Sequence, residues 1–110
     1  MLLNIPERIT LFDILPKEGH YADVVTLRRA REVLSLTAEE VKEIDYREEA
    51  KGDGRMAFFD VNKAIVIAKD IPIDEWTTRT IQTILSKMEK DGKLSEKFVP
   101  LFEKFVINYE

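Results

Sequence analysis

Between residues 73 and 89 the inward-facing positions recur every three or four residues. Ile73, Thr77, Ile81, Ile84, Leu85 and Met88 cover one arc of a helix, and Arg79, Gln82, Ser86 and Glu89 cover the other. The period predicts an amphipathic helix from Asp74 to Glu89, ended by "DGK" (91–93), where Gly92 suits the left-handed residue after a helix. The same period is present in the N-terminal third. In "NIPERITLFDIL" Pro6 fits a first helical turn, and Ile9, Phe12 and Ile14/Leu15 share one side, so a short helix is expected up to Pro16. "PKEGH" then reads as a turn. Asp23 is a candidate N-cap for a second helix, 23–35, with Leu27, Ala30 and Leu34 along its apolar stripe. "LTAEE" has the form of a capping box, in which Thr37 and Glu40 exchange side-chain and backbone bonds at the start of a helix over 37–44.

The period then changes. "IDYREE" and "RMAFFD" flank the glycine-containing "AKGDG" and predict a β-hairpin, and the β-branched run "KAIVIAK" predicts a third strand beside it. At the C-terminal end Ser95 can cap a last helix on which Phe98, Phe102 and Phe105 lie at i, i+4 and i+7; Pro100 predicts a kink or a later start. The expected fold is therefore α+β: a mainly helical single domain over 1–110, with a small three-stranded antiparallel sheet between N-terminal and C-terminal helices.

Composition narrows the function classes. With 110 residues, 45% hydrophobic and 35% charged, the chain can bury one core. It contains no cysteine, which removes disulfides, thiolate metal sites and a cysteine nucleophile. "AIVIA" (64–68), the longest wholly apolar run, is far shorter than the roughly 20 residues of a membrane span, and "MLLNIPER" lacks the charged n-region and cleavage site of a signal peptide. A cytoplasmic protein without membrane association is expected. The net charge of −4 arises in the middle: residues 36–60 carry eight acids against four bases, whereas the flanking segments are balanced. Nucleic acid is not an expected partner, because its binding needs an excess of lysine and arginine to neutralise phosphates.

Candidate chemistry is sparse. On a helix Arg28 and Arg31 lie roughly 60° apart and Arg29 roughly 100° from Arg28. They read as a solvated face, with Arg28 and Arg31 kept as candidate partner contacts. His20, the only histidine, has no cysteine, second histidine or carboxylate at ligand spacing and is assigned to the turn. "DGKLS" resembles half of a calcium-binding loop, but counting from Gly92 puts Lys87 and Phe98 where carboxylates are needed. No phosphate-binding glycine pattern is present. No catalytic residue, metal or cofactor is expected. The segment from Glu39 to Glu49 holds six carboxylates and two bases; it reads as solvated surface, with a docking face for a basic partner as the functional alternative, for which Glu39 and Glu43 are the candidate contacts. Trp76, at the margin of the long helix's apolar arc, is read first as core and second as a partner contact.

In order, "ERITLFDILPKEG", "LRRAREVLSLTAEE" and "ILSKMEKDGKLSEKFVPLFEKFV" resemble a group of small phage and prophage proteins of about 100 residues with no assigned activity. The likeness covers about 90 positions in outline and is weakest at the hairpin. It implies a phage-encoded protein in the cytoplasm of a microbial host and carries over no site residues. The expectation is a non-enzymatic accessory protein acting on a host or phage protein. The alternative is a winged-helix-like DNA-binding regulator, whose recognition helix would be "TAEEVKEI", with three acids and one lysine.

Overall fold

Four helix starts in this chain, at Asn4, Thr37, Asp60 and Asp74, are fixed by short polar side chains that accept amide hydrogens left over at a first turn. The computed structural model describes residues 1–52 and 54–109. Strand β1 (Leu2–Asn4) runs into α1 (Ile5–Ile14). At that junction Asn4 Oδ1 accepts from Glu7 N at 3.0 Å, and Glu7 Oε1 accepts from Asn4 N at 2.9 Å. The expected box at α3 (Ala38–Glu43) is present: Thr37 Oγ1 accepts from Glu40 N at 3.1 Å and Glu40 Oε1 from Thr37 N at 2.9 Å. For α2 (Tyr21–Leu34) the N-cap position belongs to exposed His20, which makes no side-chain cap bond; Asp23, the expected cap, lies inside the first turn.

The middle of the chain departs from expectation in one respect. The fold is α+β, about 61% helical, with antiparallel pairing, but the strands form two separate two-stranded ladders instead of one sheet of three. β2 (Arg47–Lys51) pairs with β3 (Gly54–Phe58) as the expected hairpin. The connecting "AKGDG" includes Asp53, which lies outside the described residues. "KAIVIAK" is not a strand. It is divided between α4 (Val61–Val66) and β4 (Ala68–Asp70), and β4 pairs with β1 through Leu2↔Asp70, Leu3↔Lys69 and Asn4↔Ala68. Asp60 explains the change: its Oδ1 accepts from Lys63 N at 3.2 Å and starts a helix that buries Ala64, overriding the β preference of isoleucine and valine.

α5 (Glu75–Lys90) follows, capped by Asp74, whose Oδ1 accepts from Thr77 N at 2.7 Å. Its far end is a Schellman turn: Gly92, at φ 67°, donates to Glu89 O, and Lys93 N donates to Met88 O at 2.8 Å. The C-terminal track is broken as Pro100 predicts. A 3-10 turn (Glu96–Phe98), the single α turn α6 (Val99–Phe102) and a π-helical stretch (Glu103–Ile107) succeed one another, with Pro100 in the first turn of α6 where its missing N–H is no loss. The main core joins Leu11 of α1 and Leu15 just past its end, Leu27 and Leu34 of α2, Ile81 and Leu85 of α5, and Leu101 and Phe105 of the C-terminal track. A smaller cluster of Ile5, Ile44 and Ala64 sits beneath α4, with Ile9, Leu36, Tyr46 and Phe59 packed against it. Ile9 and Phe12 thus leave the main core, and Phe12 is 36% exposed.

Candidate functional site

The junction between α2 and α3 is built around a buried arginine. Arg8, on the inner side of α1, is 1% exposed. Its Nε donates to Leu34 O at 3.3 Å and its Nη2 to Ser35 O at 2.6 Å, taking up two carbonyls at the end of α2 that helix geometry leaves without partners. Its Nη1 pairs with Glu40 Oε2. Glu40 therefore uses one oxygen to cap α3 and the other to hold Arg8. Burial raises the Glu40 pKa, but the Arg8 hydrogen bond, the Thr37 N–H and the Arg8 charge outweigh it, so the carboxyl sits below its ordinary value.

The exit from α3 repeats the Schellman geometry. Asp45 takes φ 55°, in the left-handed region, and donates to Lys42 O at 3.3 Å, while Tyr46 N donates to Val41 O at 3.0 Å. The residue two places past the helix end typically packs on the third residue from that end, and here Tyr46 and Val41 line one cleft together. Ile9, Phe12 and Asp13 form its α1 wall; Leu34, Ser35 and Leu36 come from the segment that Arg8 fixes; Tyr46, directly before β2, and Glu48, on β2, complete it. The volume is about 400 Å³, toward the lower end of the roughly 300–1,000 Å³ typical of small-molecule pockets.

Phe59 stacks on Tyr46, with ring centroids 6.3 Å apart and planes 16° from parallel, which fixes the ring as a wall. The Tyr46 hydroxyl donates to Glu48 Oε1 at 3.1 Å. Its pKa is raised, first by burial, then by the bond to Glu48 and by the negative charges of Glu48 and Asp13. The mouth of the cleft therefore carries negative potential directed at an aromatic edge.

The residues singled out from the sequence are not assembled here. Arg28 is exposed on α2. Arg31 is half-buried and donates to Pro16 O at 3.1 Å, so it latches the α1–α2 turn. Glu39 and Glu43 are exposed on α3, each two residues from Val41 and so on the opposite side of that helix from the cleft. With Lys42 they form the outward surface of the would-be recognition helix. Trp76 is 42% exposed rather than core, and lines a separate shallow depression with Arg79, Thr80, Thr83 and Ile84. The cleft's own residues were visible in the sequence chiefly as core positions (Ile9, Phe12, Leu34) and strand positions (Tyr46, Glu48); the signal that could have found them was an aspartate two residues past a capped six-residue helix, a residue type that tolerates the left-handed region.

Among the described residues no three His, Asp or Glu side chains converge as metal ligands, and no helix is long and apolar enough to cross a membrane. No protein-family model matches the chain, and neither a curated protein nor a solved structure matches it.

Proposed function

We propose that this chain is a non-enzymatic accessory protein, phage- or prophage-encoded and working in the host cytoplasm, that acts by holding part of another protein in the cleft between α1, α3 and β2. The observation that carries the reading is the composition of the cleft: Ile9, Phe12, Leu36, Val41 and Tyr46 remain partly open to solvent in one concave place, and burial of such surface is what drives protein association. Its backbone is held by two helix-end motifs and a buried ion pair, so the site is formed before a partner arrives and binding loses little to ordering.

Site-specific photo-crosslinking tests this. With p-benzoylphenylalanine replacing Phe12, irradiation of producing cells should give one discrete protein adduct. The adduct should vanish in Tyr46→Ala and be absent when the photo-label occupies exposed Glu89. A label at Glu89 that yields the same adduct, or none from position 12, overturns the proposal.

A further inference from the structure

The chemistry of the cleft narrows the partner further, given that reading of it as a protein-contact site. Its floor and walls are apolar, but its mouth is acidic from two sides: Asp13 from α1, beside Phe12, and Glu48 from β2. The Tyr46 hydroxyl donates to Glu48 Oε1 at 3.1 Å, and Asp13 lines the same cleft from the α1 side. Asp13 is exposed and makes no ion pair among the described residues. The surrounding segment, 36–60, holds the acidic excess of the whole chain.

An aromatic-walled slot with a carboxylate at its rim favours a side chain that is apolar along its stem, planar and cationic at its tip. Arginine has that form: three methylenes pack on apolar surface, the guanidinium stacks on a ring, and its fork of N–H donors meets a carboxylate in two places. Lysine carries a compact, strongly hydrated charge that gains less from a ring face. We infer that the cleft receives an arginine side chain of the partner protein, with its stem against Phe12 and Val41 and its guanidinium between the Tyr46 ring and the Asp13 carboxylate. The acidic surround draws such a segment in and raises the rate of association.

Amide chemical-shift titration of the full chain tests this with three peptides of the form acetyl-Gly-Leu-X-Leu-Gly-amide, in which X is arginine, lysine or citrulline, the uncharged near-copy of arginine. The arginine peptide should shift the amides of Phe12, Asp13 and Tyr46, and the citrulline peptide should bind about tenfold more weakly. Asp13→Asn, an exposed change, should weaken the arginine peptide to about the citrulline level and weaken the citrulline peptide much less, since only the arginine tip carries a charge. Equal binding of citrulline or lysine, or shifts mapping away from these residues, overturns the inference. The two proposals separate cleanly: a position-12 photo-adduct that persists in Asp13→Asn, together with no arginine preference, leaves the protein contact standing and removes the arginine. Loss of the adduct from the parent chain removes both.

Discussion

Replacing Arg8 by methionine isolates what the buried guanidinium does, since methionine keeps much of the apolar stem and removes the charge. The change leaves Glu40, whose side chain is 12% exposed, without its cation, and it strands the carbonyls of Leu34 and Ser35. Breaking a buried ion pair from one side costs about 3–5 kcal/mol, because the remaining charge keeps its desolvation penalty. A domain of this size has about 5–15 kcal/mol in total. Unfolding entropy of about 2.1 cal/mol/K per residue gives roughly 0.23 kcal/mol/K for 110 residues, so Tm should fall by roughly 13–22 °C. Circular dichroism at 222 nm and Trp76 fluorescence should report the same transition in the parent chain, Arg8→Met, Glu40→Gln and the double variant. The double variant should lose less than the sum of the singles, by about 1 kcal/mol or more, because it removes the stranded charge together with its partner. A loss under about 1 kcal/mol in Arg8→Met, or strict additivity, refutes the account of this junction.

The same pair fixes a pH dependence. The folded Glu40 pKa lies below its ordinary 4.5, so its contribution is fully present above that value and is lost as pH falls through the folded one; Glu40→Gln should flatten this part of an acid-unfolding curve. Asp45→Val, which forces a β-branched residue into the left-handed region, should cost about 1–2 kcal/mol in urea unfolding, whereas Asp45→Gly should leave stability near that of the parent. Asp74→Ala should cost about 1 kcal/mol by thermal melting, and Asp74→Ser should recover most of it, since serine can also accept from Thr77 N.

What could be read from the sequence was whatever depends on neighbours along the chain. The box at Thr37 and Glu40, the stop at Gly92, the arc of α5 and the break at Pro100 are all set within a few residues. The same logic was available at Asn4 with Glu7 and at Asp60, and the second of these would have turned part of "KAIVIAK" from strand to helix. Distance along the chain hid the rest. β1 has only three residues and pairs with a strand more than sixty positions away, so no local period announces it. Arg8 has the composition of a surface residue, and only the meeting of two helix ends around it makes burial tolerable. The cleft escaped for a related reason: Phe12 has the right spacing for a core stripe, and its exposure follows from where α3 and β2 turn, which a left-handed aspartate decides.

The pairing of residues 2–4 with 68–70 has a consequence for the order of events in folding. Closing a loop of that length costs on the order of 4 kcal/mol in chain entropy before any contact across it forms. Single helices whose caps and stops are local can form without meeting that cost, whereas packing α1 against α5 and the C-terminal track meets a cost of the same kind. The ladder is therefore expected to form late, together with the docking of α1 on the C-terminal half, and, being only three residues long, to open early. Under mild denaturant its amides should be the first of the ordered backbone to exchange with deuterium, while those of α5 stay protected.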